Sequence, residues 1–186
     1  PAAGKYLRAK RYFIRENYKS ACKIYHEIIR ANEENCCPKS NLKAAAYLDL
    51  SVIAWRQNRY ADALKYIEEG LQVFDHSGTR RNVFHALCYN KAFILEQLGK
   101  HEEADKALAP AWEERAKIED IRTKIQVYQL KASLKRYKKK YSEATRILAK
   151  ALDIANSNDD ADGAFYVLVD IGKLAIGRGL THHGEL

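Results

Sequence analysis

Few residues in this chain are placed where they could do chemistry. Cys36 and Cys37 are adjacent, with His26 ten residues before them, and Cys22 and Cys88 stand alone. A structural zinc site wants Cys and His in pairs at short spacings, and this set is a poor match. Neighbouring cysteines rarely bond to each other, so reduced thiols in a cytoplasmic protein are the expectation. Carboxylates occur in adjacent pairs at Glu68–Glu69, Glu102–Glu103 and Glu113–Glu114, which would suit acid–base work, but Lys and Arg stand beside them on helical faces that read as outward. The six histidines are scattered, two of them at His182 and His183 near the end of the chain. No glycine-rich phosphate loop, nucleophile elbow or HExxH pair is present. The expectation is a protein that is not an enzyme and holds neither metal nor cofactor.

The elements around these residues are helical. The 186 residues are 47% hydrophobic and 30% charged, with only 9 Gly and 3 Pro. Ala, Leu, Lys, Glu, Arg and Ile dominate, most of them good helix formers. No apolar run approaches the roughly 18–20 residues that a membrane span needs, and the first residues lack the apolar segment of a secretory signal. The chain begins at Pro1 and has no methionine, so a fragment or processed form is expected, with room for a functional domain upstream.

One amphipathic pattern recurs. Aligned on an alanine, the four copies place Ala21, Ala63, Ala104 and Ala144 at intervals of 42, 41 and 40 residues. Three positions earlier stand Tyr18, Tyr60, His101 and Tyr141, four later Tyr25, Ile67, Leu108 and Leu148, and seven later Ile28, Gly70, Ala111 and Ala151. Offsets of three, four and seven put these side chains on one helical face. A second apolar-faced segment precedes each copy, as in Leu42–Gln57, Asn82–Leu98 and Ile121–Tyr137. The unit is therefore helix A, a tight turn, helix B and a connector. A single such pair cannot bury its own apolar face and must stack on the next. His101 is expected to pack between helices. Pro110 removes a donor from the third B helix, which predicts a kink, or a packing adjustment around Trp112.

At this point "YNKAFILEQLGKHEEADKAL" resembles a tetratricopeptide repeat, with Ala92 small in helix A, Leu98–Gly99 at the turn and Ala104 in helix B. "LDLSVIAWRQNRYADALKYIEEGL" matches in the same way through Ser51 and Ala63. The first copy matches in helix B, and the fourth reads with one extra residue at its turn. The resemblance implies an all-α, right-handed α-solenoid of about four hairpins over residues 1–178. "DGAFYVLVDIGKLAIG" would be a fifth A helix, and residues 179–186 a flexible tail. Repeats near 40 residues, longer than the family's usual ~34, look like those of Gram-positive peptide-sensing regulators, the Rap, PlcR and NprR types.

The same resemblance implies a groove lined by A helices that holds an extended peptide. Its matched positions are Asp49 and Asn90, with Asp170 in the fifth A helix and Gln129 in the fourth copy, Leu130 being the alternative register. An amide suits a peptide unit because it donates and accepts at once. One turn on stand Trp55 and Arg56, then Lys135 and Lys173, a mix of aromatic surface and positive charge for an acidic or carboxylate-ended peptide; Trp55 reads equally as core.

The net charge is +8, and Lys131–Lys150 alone carries eight Lys or Arg against one Glu. That stretch is a surface for an acidic protein partner, a patch that contacts nucleic-acid phosphates without reading bases, or a solvated turn. No DNA-reading helix-turn-helix pattern is found, so sequence-reading contact with nucleic acid would come only through a domain outside this chain. The expected function is a peptide-binding sensor of a bacterial transcriptional regulator. The alternative is a non-enzymatic scaffold for assembly, including homodimerisation.

Overall fold

Four turns set the architecture. Glu16, Asn58, Gly99 and Lys139 adopt positive φ of 58°, 59°, 74° and 56°, each five residues before the alanine of its B helix. Each closes the preceding helix with the same pair of backbone bonds. In the third copy the N–H of Lys100 donates to Leu95 O and that of Gly99 to Glu96 O, and in the fourth Lys140 donates to Leu95's counterpart, Lys135, and Lys139 to Arg136. This is the left-handed helix stop that glycine serves best. A fifth example, at Asp159 with φ 52°, turns the last B helix into the helix that follows.

The structure is a computed structural model that describes residues 2–34, 40–77 and 81–182; Cys36, Cys37 and His183 lie outside them. Among the described residues there is no strand. The helices are α1 (Ala2–Ile14), α2 (Tyr18–Glu34), α3 (Asn41–Arg56), α4 (Tyr60–Val73), α5 (Asn82–Gln97), α6 (His101–Glu113), α7 (Ile121–Tyr137), α8 (Tyr141–Ser157) and α9 (Ala161–His182). Odd numbers are A helices and even numbers B helices. α9 carries helix through residue 182, into the segment expected to be a flexible tail. None of these helices is long and apolar enough to cross a membrane.

The expected apolar face is the face that is buried. Ala21, Ala63, Ala104 and Ala144 are fully enclosed, as are Tyr25, Ile67, Leu108 and Leu148 four residues on. Gly70 occupies a small-residue position for a measurable reason: a Cβ there would lie 3.0 Å from Leu87 Cδ2 and 3.2 Å from Tyr47 Cβ. His101 stacks on Tyr137 with ring centroids 3.7 Å apart, the packing role expected of it. α6 continues through Pro110 to Glu113, and Trp112 meets Tyr128 edge-on at 5.2 Å.

The turn geometry corrects the fourth copy. α7 ends two residues before Lys139, just as α5 ends two before Gly99, so there is no extra residue. Counting seven back from each turn gives Ala9, Ser51, Ala92 and Ala132, all buried. Leu130, rather than Gln129, therefore corresponds to Asp49 and Asn90. The misreading arose because Lys139 stands where the pattern wants glycine. α1 is likewise a regular A helix, with Ala9 as its small residue.

Lysine at a left-handed position carries a steric cost of roughly 1–2 kcal/mol, part of which glycine returns as unfolded-chain entropy. Lys139→Gly is therefore expected to stabilise the α7–α8 hairpin by about 1 kcal/mol, read as a higher urea midpoint. A midpoint that falls would contradict the turn assignment.

The chain divides into two compact units within α5, the first ending at Asn90 and the second starting at Lys91. In the first, hairpins α1–α2 and α3–α4 stack through α2 and α3 over a core of Ala21, Tyr25, Ile28, Leu50 and Ile53. In the second, α7 packs on α6 and α8, and α9 on α8 and α7, around Ile125, Ala144, Leu148, Ala151 and Val167.

Candidate functional site: the A-helix line

Side chains of successive A helices are tied by polar pairs about one repeat apart in sequence. In the first unit Asp49 of α3 is buried, at 3% exposure. Its carboxylate accepts from Tyr6 Oη at 2.9 Å and from Lys10 Nζ at 2.7 Å, both on α1. Burial and the adjacent Asp49 charge push the Tyr6 hydroxyl well above the ordinary tyrosine range. Asp49 is thus an inter-helix clamp.

In the second unit Gln129 Nε2 donates to Asp170 Oδ2 at 2.7 Å, joining α7 to α9, and Lys173 Nζ lies 3.0 Å from Asp170 Oδ1. Ser133 Oγ donates to Glu96 Oε1 at 2.8 Å, joining α7 to α5. Three of the expected peptide-binding residues, Gln129, Asp170 and Lys173, therefore come together, as partners of one another.

The remaining expected residues sit apart. Arg56 is exposed at the end of α3, where Nη1 donates to Tyr18 Oη at 2.8 Å, lies 3.4 Å from Glu16 Oε1, and places its guanidinium 5.6 Å from the Phe13 ring. It braces the α1–α2 turn. Trp55 beside it is half-buried. Lys135 pairs with Glu143 of α8 at 2.6 Å; six residues beyond Gln129, it lies about 240° further round α7, away from the line. Asn90 is different. It is half-buried on α5, one step before Lys91–Ala92, and its amide has no partner among the described residues.

Other functional side chains were not evident from sequence. Tyr6, Lys10 and Ser133 act through partners 37–43 residues away, and only the repeat interval hints at such pairing. Asp105 of α6 takes Lys131 at 2.6 Å and Lys138 at 2.7 Å. Burial opposes its ionisation, but hydrogen bonds and charge from both lysines outweigh it and hold its carboxyl below the usual range. Lys135 and Lys140 both face Glu143, so four of the eight basic residues of the stretch share two carboxylates. Cys22 is half-buried and Cys88 buried, and neither forms a disulfide. Among the described residues no cluster of His, Cys, Asp and Glu could hold a metal ion.

Tetratricopeptide-repeat family models match residues 44–74 and residues 85–109 and 125–158. A search of curated proteins finds no match to the chain. The matched spans cover α3–α4, most of α5–α6 and most of α7–α8, whose turns and buried alanines are those described above, and α1–α2 repeats the same geometry outside them. Hairpin, turn and buried alanine together show that the chain carries tetratricopeptide repeats over these spans, a repeat type associated with protein–protein interaction.

Proposed function

We propose that the chain is a non-enzymatic binding module whose A helices hold an extended peptide segment, with Asn90 as a main contact to the peptide backbone. The observation that carries this is the state of Asn90 beside its counterparts. Its polar counterparts Asp49 and Asp170 are engaged by neighbouring helices, Asp170 through Gln129, whereas the Asn90 amide is half-buried and keeps both its donor and its acceptor available. The flanking carboxylates and lysines then serve to fix the A helices rather than to touch the ligand.

The 40–42-residue spacing supports the narrower reading of a cytoplasmic sensor for a signalling peptide within a transcriptional regulator, the DNA-reading part lying outside these residues. Selection of displayed octapeptides on the immobilised chain, followed by fluorescence polarisation of the enriched sequence, tests the reading. Saturable binding that weakens at least tenfold in Asn90→Ala is expected, about 1.4 kcal/mol or more. Enrichment of nothing, or indifference to Asn90→Ala, would refute it.

A second reading is assembly. α9 exposes Phe165, Tyr166, Leu168 and Ile176 at 53–67%, an apolar patch of the sort that marks contact surfaces. Elution of the purified chain as a dimer, abolished by Phe165→Asp with Ile176→Asp, would favour it.

A further inference from the structure

On the side of α7 away from Gln129 and Ser133, helices α6, α7 and α8 enclose a cleft of about 480 Å³. Five cations line it, Arg115, Lys131, Lys135, Arg146 and Lys150, against the single carboxylate of Glu143. Their partners differ. Lys131 is balanced by Asp105 and Lys135 by Glu143. Arg115 donates only to the carbonyl of Trp112, at 2.8 Å, while Arg146 and Lys150 have no partner among the described residues.

The repeat itself shows that this charge is not demanded by the fold. Two and six residues past the B-helix alanine stand Lys23 and Glu27, Lys65 and Glu69, then Lys106 and Pro110, but Arg146 and Lys150 in α8. The first two copies place opposite charges four apart on a helix, which is mildly favourable, whereas α8 places like charges there, which is unfavourable. On α7, Lys131 and Lys135 repeat the arrangement and face the same space. With Lys131 and Lys135 held by carboxylates, Arg146, Lys150 and Arg115 leave the concave site an excess of positive charge, and a bound anion relieves it.

We infer that this cleft is a binding site for a small polyphosphorylated molecule. Its volume lies in the range of small-molecule sites, and guanidinium groups at Arg115 and Arg146 suit phosphoryl oxygens. The ligand carries no stacking base: the face of Trp112 already holds the Arg115 guanidinium at 4.4 Å from the ring centroid, with Lys131 Nζ at 5.7 Å. Several phosphoryl groups on a compact, non-aromatic scaffold fit that lining. The site is independent of the A-helix line, so either can fail alone.

Isothermal titration of the full chain with inositol hexakisphosphate, tripolyphosphate and ATP at 150 mM salt tests it. One equivalent of inositol hexakisphosphate or tripolyphosphate binds, and the adenine of ATP adds no affinity over tripolyphosphate. Arg146→Gln with Lys150→Gln, both solvent-exposed and outside the core, weakens binding at least tenfold, whereas Lys19→Gln with Lys23→Gln on α2 changes it less than twofold. The affinity falls with salt along a log–log line. No binding by either phosphate probe, binding of several equivalents, or equal weakening by the α2 pair would overturn the site. Tighter capture of a phosphoserine peptide than of inositol hexakisphosphate, lost in the Arg146/Lys150 variant, would overturn the small-molecule assignment.

Discussion

Phe74→Ala is expected to destabilise the first unit by about 4 kcal/mol, the range found when a buried aromatic is truncated and its cavity only partly closes. Phe74 follows the last residue of α4 in extended backbone and is fully buried. Its ring meets Phe84 of α5 at 5.5 Å and His76 at 5.0 Å. The residues around it are held by backbone bonds as well: Ser40 N–H donates to Val73 O at 2.9 Å, and Asp75 N–H to Asn41 Oδ1 at 3.1 Å. Phe74 is thus the plug where the end of α4, the start of α3 and the start of α5 meet. Urea unfolding followed by circular dichroism gives the loss directly. Phe74→Leu, which keeps most of the volume, should lose less than half as much; a loss below about 1 kcal/mol for the alanine variant would remove Phe74 from the core.

Asp49→Ala is the second large effect, at about 2 kcal/mol. Breaking a buried ion pair from one side costs about 3–5 kcal/mol when the other charge stays buried. Lys10 is 38% exposed in its side chain and can turn to water, which lowers the figure, while Tyr6 loses an acceptor in a half-buried setting. Asp49→Asn separates charge from hydrogen bonding, since the amide oxygen still accepts from Tyr6. It should cost less than the alanine change, and the Tyr6 hydroxyl should titrate at lower pH than in the unaltered chain, because the Asp49 charge that raises it is gone. Equal losses in the two variants would show that the clamp is steric rather than electrostatic.

These residues also show what could be read from the sequence and what could not. The buried faces of the B helices were legible because helical periodicity puts Ala63, Ile67 and Gly70 on one stripe whatever lies beyond them. The fourth turn was misread because its left-handed residue is Lys139, and only the backbone bonds of Lys139 and Lys140 reveal that it is built like Gly99. The carboxylates were recognised as lying on the A-helix line but not as engaged. Nothing local to Asp49 names Tyr6 or Lys10, which reach it from a helix 39–43 residues earlier. Lys135 was assigned to the peptide line by its place along α7, yet its position round the helix sends it to Glu143. Neither was the outer cleft visible, because a charge run in sequence does not show which of its members find carboxylates and which are left over. Phe74 escaped notice for a related reason: it lies just outside the periodic segment, where its burial depends on the connector.

The central claim, that a peptide lies along the A helices, is tested most directly by amide chemical-shift mapping of the isotope-labelled chain with the selected octapeptide. Shifts that saturate together and concentrate on α3 and α5 around Asn90, and that vanish in Asn90→Ala, are the predicted result. Shifts confined to the B helices α2, α4, α6 and α8, or the same pattern in Asn90→Ala, would contradict it.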